Sequence, residues 1–149
     1  MSRPTNTQFA LGVHLLTLLG DACGAVLSSE TMADSAGASP VHVRRLLGRL
    51  RVAGLVGSRS GVHGGWQLLR DPEAITLADV WRALNGDDPV LGLRSANPDC
   101  PVGRSIQISL AAIDRRAATA IESELGTTTI AQLVAEAAAR AEDRTAAGR

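Results

Sequence analysis

The sequence predicts a mostly α-helical chain carrying one small β-hairpin, and three observations lead there. Apolar residues recur at three- and four-residue steps through most of the chain. Two strand-like runs, Leu55-Val56-Gly57-Ser58-Arg59 and Trp66-Gln67-Leu68-Leu69-Arg70, flank the glycine-rich Ser60-Gly61-Val62-His63-Gly64-Gly65. Positive charge is concentrated: Ser35 to Arg70 holds six arginines, two histidines and no Asp or Glu, in a chain of formal net charge zero.

Composition narrows the function classes. A chain of 149 residues, 45% apolar, suits one ordinary core with an appended arm. All fifteen basic residues are arginine, and only Phe9, Trp66 and Trp81 are aromatic, which disfavours a core or ligand cage of stacked rings. Cys23 and Cys100, the sole cysteines, do not make a secreted disulfide framework. The start, MSRPTNTQ, lacks an apolar signal region, and no run approaches the roughly eighteen apolar residues of a membrane span, so a cytoplasmic protein is expected. Outside Ser35–Arg70, nine arginines face fifteen acids. A basic patch on an acidic body suits an anionic polymer better than a membrane, whose ligands also need large apolar anchors; the alternative is a solvated basic face.

Phe9, Val13, Leu16 and Leu19, with Leu15, mark a first helix from about Thr7 to Leu19, ending near Gly20. His14 within it is expected to be hydrogen-bonded or on the surface. Gly24 to Leu27 reads as a loop or short strand, and Ser28-Ser29 opens a short helix through Met32 and Ala33 to Gly37. Ser39 then accepts from an early N–H and Pro40 fits the first turn of the basic helix, which Gly54 stops. Val43, Leu46, Leu47, Leu50 and Ala53 form its apolar stripe. The opposite face is therefore Val41, Arg44, Arg45, Gly48 and Arg51, a polar ridge with a glycine where a flat partner can come close.

After the hairpin, Thr76 and Asp79 form a capping box, Ile75 can staple onto Val80, and a helix runs to about Leu84 with Leu77, Val80, Trp81 and Leu84 inward. Asn85 to Asp99 is rich in Asn, Asp, Gly and Pro and reads as a linker loop. Pro101 starts a helix about 37 Å long, whose aliphatic stripe is Val102, Ile106, Leu110, Ile113, Ala117, Ile121 and Leu125. A stripe that long exceeds what a small domain can cover, so dimerisation through it is expected. Thr129 and Gln132 cap a last helix carrying Ile130, Leu133, Val134 and Ala137. The expected organisation is a winged helix-turn-helix domain over 1–84, a linker over 85–99, dimerisation helices over 100–142 and a fraying tail over 143–149.

A short helix, a tight turn and a basic helix make a helix-turn-helix, whose second helix enters the DNA major groove. The residues expected at double-stranded DNA are Ser39, Val41, His42, Arg44, Arg45, Gly48 and Arg51 on or beside that helix, and Arg59, His63 and Gly64 at the wing, where a cation reaches phosphate or minor groove. GVHGG lacks the lysine and following helix of a phosphate-binding loop. Cys100 precedes Pro101, where the positive end of the helix dipole favours a thiolate, with Arg104 one turn on and Cys23 the only protein partner. It reads either as an oxidant-sensing thiol or as an inert helix cap. The three histidines and two cysteines fit no catalytic triad or zinc spacing, so no enzyme, metal ligand set or cofactor is expected. A DNA-independent dimeric interaction module, and a DNA-binding regulator that senses a small ligand, remain as competing readings.

Taken together, QFALGVHLLTLL, ASPVHVRRLLGRLRVAGLV, SRSGVHGGWQLLRDP, ITLADVWRALNG and the helix after NPDCPVGRSIQ resemble the Rrf2 (Rrf-two) family of bacterial winged-helix transcription regulators, over nearly the whole chain. The resemblance implies a homodimer on an imperfect palindromic operator, expected here to act as a repressor. Cluster-binding members carry three closely spaced cysteines between the fourth and the dimerisation helix, where this chain has Cys100 alone. NPDCPVG is more like the cluster-free, YwnA-like branch, some relatives of which are thiol-based oxidant sensors; an atypical iron–sulfur cluster completed by His or carboxylates is the alternative. Well-known cluster-type members place their wing arginine one position later, at Ser60 of this chain.

Overall fold

Helices form where apolar spacing and a capping side chain coincide, and the computed structural model, which describes residues 5–147, follows that rule. Residues 1–4 of the expected first domain and 148–149 of the expected tail lie outside the described residues. Helix α1 spans Thr5–Asp21, α2 Ser29–Ala36 and α3 Pro40–Val52. Ser28 and Ser39 cap α2 and α3, accepting from the N–H groups of Thr31 and His42. Gly37, left-handed at φ 61°, lets its N–H turn back to the carbonyls of Ala33 and Asp34, so that only Gly37, Ala38 and Ser39 separate the two helices.

Strands β1 (Val56–Arg59) and β2 (Gly65–Leu68) pair antiparallel, with Val56 opposite Leu68 and Arg59 opposite Gly65. The wing is also tied to the start of α2. Leu27 and Trp66 exchange both backbone hydrogen bonds, at 3.0 and 2.8 Å, and Trp66 Nε1 donates to Ser29 Oγ at 3.2 Å. A 3-10 turn at Pro72–Ala74, unforeseen in the sequence, leads into α4 (Leu77–Asn85), whose Thr76–Asp79 capping box forms as expected. The long helix α5 covers Pro101–Leu125 and α6 covers Ile130–Ala147.

The core lies where α1, α3 and α4 meet under the hairpin. Leu15, Leu16, Val43, Leu47, Leu50, Val56, Ile75 and Val80 are fully buried there. Two of the three aromatics pair edge to face rather than stack, Phe9 against Trp81 with centroids 5.6 Å apart. His14 is on the surface, its Nε2 within 3.3 Å of Ser35 Oγ.

Four sequence expectations need correction. Ala53 is exposed: Gly54 turns left-handed (φ 74°), the Leu55 N–H returns to the Leu50 carbonyl at 3.0 Å, and Leu55 completes the apolar stripe instead. The α5 stripe does not stay on one face. Each four-residue step overshoots a turn by about 40°, so Ala117, Ile121 and Leu125 rotate into partial burial, where α5 packs on α4, while Val102, Ile106 and Ile113 stay 66%, 52% and 41% exposed. Helix α6 begins against the body rather than apart from it. Ile130 is fully buried, its N–H donates to the Ile75 carbonyl at 2.9 Å, and α6 lies along α1 with Val134 against Gly20. Finally, α6 continues through Ala147, past the end expected near Asp143.

Candidate nucleic-acid interface

Burial of Val43, Leu46, Leu47 and Leu50 on one side of α3 turns Val41, Arg44, Arg45 and Arg51 out to solvent on the other. Gly48 sits among them, half-exposed, with open space where a side chain would project, so backbone there can approach a flat surface closely. His42 is half-buried, and Ser39 is exposed with its hydroxyl engaged as the cap.

The six arginines of the basic stretch are not equivalent. Arg49 Nη1 donates to Gln8 Oε1 at 2.9 Å and Nη2 to the Leu84 carbonyl at 2.5 Å, so this guanidinium ties α3 to α1 and α4. Arg70 Nη2 reaches the Ala74 carbonyl at 2.7 Å and lies 3.8 Å from Asp79 Oδ2. Arg44 Nη1 pairs with Glu30 Oε1 at 2.8 Å on the solvent face. Arg45, Arg51 and Arg59 have no side-chain partner among the described residues and are exposed. Their charge is therefore available to an anionic surface, whereas Arg49 and Arg70 serve the fold.

At the wing, Arg59 ends β1 and His63 is exposed beyond it. Gly64 does more than allow bending. A Cβ there would collide with the carbonyl oxygens of Arg59 and Gly61, and one on Gly65 would stand 2.6 Å from the Leu27 carbonyl oxygen, so both glycines are required by backbone packing.

Cys100 caps α5, its Sγ accepting from the Gly103 N–H at 3.3 Å, and is exposed. Arg104, expected beside the thiol, instead gives Nη1 to the Pro98 carbonyl. Cys23 is exposed just past α1 in a left-handed conformation (φ 50°), and both thiols are free. The linker loop folds back on α5: the Leu91 N–H donates to Asp114 Oδ1 at 2.8 Å, and a cavity of about 370 Å³ lies between Leu91, Leu93, Ile106 and Leu110. Sequence reasoning missed Glu30, Asp114 and the internal role of Arg49, because none of these contacts leaves a periodic or spacing signal.

A helix pair with an arginine-bearing second helix and a glycine-tipped hairpin anchored to it define a winged helix-turn-helix DNA-binding protein. The chain belongs to the Rrf2 family, whose model, described as iron-dependent transcriptional regulator, matches residues 5–136. Members of this family are transcriptional regulators, not enzymes. The chain is 36% identical to YwnA of Bacillus subtilis over 121 residues, covering 80% of this chain and 89% of that protein. Among solved structures, CymR, the global cysteine regulator of B. subtilis, superposes with TM-score 0.62 at 28% identity, covering 87% of this chain and 95% of that one. The oxidised form of Staphylococcus aureus CymR does so with TM-score 0.60 at 28% identity, covering 86% and 93%.

The donor set for iron does not fit. Among the described residues no three His, Cys, Asp or Glu side chains converge on a point, and Cys100 is engaged with the Gly103 backbone. Nor is any helix among the described residues long and apolar enough to cross a membrane.

Proposed function

We propose that this chain acts as a homodimeric repressor that reads an imperfect palindromic operator through α3 and its wing, and that oxidation of Cys100 changes its affinity for DNA. The observation that carries the DNA reading is the unpartnered ridge of Arg45 and Arg51 around Gly48, opposite a fully buried apolar face. In this reading Arg44 and Arg45 meet base edges and Val41 and Gly48 permit the approach, which their exposure on one side of α3 supports; Ser39 and His42 flank the start of the helix, and Arg51 closes the ridge. Arg59, His63 and Gly64 contact backbone or minor groove. The uncovered Val102, Ile106 and Ile113 of α5 support a second copy as the other partner. The test is binding of promoter duplexes by the parent and Arg45→Ala at matched salt. A loss of about 1–3 kcal/mol concentrated on particular bases is expected. Equal affinity and selectivity would discard the assignment.

The redox reading rests on an exposed, free thiol at the first turn of the helix that joins two copies, and an oxidised relative supports it. A sulfenic acid, or a disulfide to Cys23 of the same or the other copy, favours one spacing of the two recognition helices, and a differential of roughly 1–3 kcal/mol suffices for regulation. Hypochlorite or peroxide treatment of the parent, followed by a binding curve and non-reducing mass analysis, is expected to shift affinity; Cys100→Ser is expected not to respond. An unchanged parent leaves Cys100 as a helix cap.

A further inference from the structure

Among the described residues, Arg44, on the exposed ridge of α3, is the one ridge arginine that already has a side-chain partner. Glu30 Oε1, on the first turn of α2, accepts from Arg44 Nη1 at 2.8 Å, the shortest ion pair among the described residues, and the two side chains are 64% and 48% exposed respectively. A pair so exposed adds little to stability. A carboxylate on a surface that meets phosphates also opposes binding, so its place there calls for another use. The segment carrying Glu30 is rigid. Ser28 caps α2, Leu27 is paired with Trp66 in both directions, and Ser29, 6% exposed, accepts from the Trp66 indole. Glu30 is thus held in register with the wing and reaches across to the recognition helix.

We propose that Glu30 is a positioning residue that fixes the rotamer of Arg44 and thereby sets which base that arginine accepts. A free arginine side chain sweeps many rotamers, and ordering it opposes binding. The Glu30 carboxylate engages Nη1, which leaves Nε and Nη2, a pair of parallel donors, for the two acceptors on the major-groove edge of guanine. The wing anchor and the base-reading arginine become one unit through Trp66, Ser29 and Glu30.

The inference rests on the reading of α3 as the recognition helix, and the experiment separates the two. Full-length parent, Glu30→Gln, Glu30→Asp, Arg44→Ala and the Glu30→Gln/Arg44→Ala pair are each applied to a randomised duplex pool. The recovered duplex, its single-base-pair substitutions and a scrambled duplex are then titrated at one salt concentration. Arg44→Ala identifies the base pair that Arg44 reads. At that pair, Glu30→Gln is expected to lower discrimination about two- to fivefold, as the range for exposed pairs allows, with equal or tighter binding to the scrambled duplex. Glu30→Asp keeps the charge but falls short of Arg44, so it is expected to lose discrimination without that gain. On the Arg44→Ala background, Glu30→Gln is expected to cost nothing further. Discrimination retained in Glu30→Gln but lost in Arg44→Ala overturns the proposal and leaves the recognition helix standing. Uniformly tighter binding of every duplex, with discrimination intact, overturns it in favour of an inhibitory contact. If Arg44→Ala keeps every base preference, the recognition reading of Arg44 fails and the proposal falls with it.

Discussion

Replacing Arg49 with alanine should damage the fold and spare DNA recognition, the reverse of what is expected for its neighbours on the same helix. Its guanidinium makes two hydrogen bonds, to Gln8 Oε1 at 2.9 Å and to the Leu84 carbonyl at 2.5 Å, that join three helices. Hydrogen bonds from a charged donor contribute about 1.5–3 kcal/mol each, and the part-buried setting discounts this to about 1–2 kcal/mol each. Arg49→Ala is therefore expected to cost about 2–4 kcal/mol, because the Leu84 carbonyl at the end of α4 also loses a partner. For a chain of this size that is a fall in Tm of roughly 5–15 °C. Arg49→Lys should recover less than half, since one ammonium cannot serve two acceptors in the planar fork. Thermal unfolding by circular dichroism, at one fixed protein concentration because any self-association raises apparent stability, gives the first number. DNA titration at a temperature where the variant is folded gives the second, with an unchanged slope of affinity against salt. An unaltered Tm together with a salt slope reduced by about one unit would refute the reasoning and turn Arg49 toward the phosphates.

Arg59→Ala should weaken binding to all sequences by a similar factor and flatten the salt slope by about one unit; a loss confined to one base pair would argue for direct readout at the wing. Gly65→Ala places a Cβ 2.6 Å from the Leu27 carbonyl oxygen, so the Leu27–Trp66 bridge must open. A loss of about 1–3 kcal/mol of stability is expected, with reduced DNA affinity, and a variant that melts and binds like the parent contradicts the backbone clash. Ile113→Asp puts a charge on the uncovered part of α5 and should convert a dimer to monomer in sedimentation velocity, with the circular dichroism spectrum preserved. Retention of the dimer would move the interface elsewhere.

Most of the local structure was readable from residue spacing. Ser28, Ser39 and the Thr76–Asp79 box announced three helix starts, and each forms the expected hydrogen bonds because capping depends only on residues within one turn. The exposed ridge of α3 followed from the buried one by helical geometry alone. Where the sequence misled, the cause was a longer-range contact. Helical spacing put Arg44, Arg45 and Arg51 on the ridge and left Arg49 and Arg70 without a role; their ties to the carbonyls of Leu84 and Ala74 carry no side-chain signature. Arg104 likewise turned to the Pro98 carbonyl rather than to Cys100.

The sequence by itself determined the order of the elements, their caps, the glycine-tipped wing and the family, since all of these reside in spacing between near neighbours along the chain. Tertiary structure alone decided that Leu55 rather than Ala53 closes the α3 stripe, that α6 begins in the body under Ile75, and that Glu30 meets Arg44. It also decided how much of α5 stays uncovered, because a four-residue apolar step drifts around a helix and only the position of α4 tells where that drift carries the stripe into contact. Spacing along one helix specifies a face; what that face meets depends on residues far away in the chain, whose approach is set by packing of the whole core.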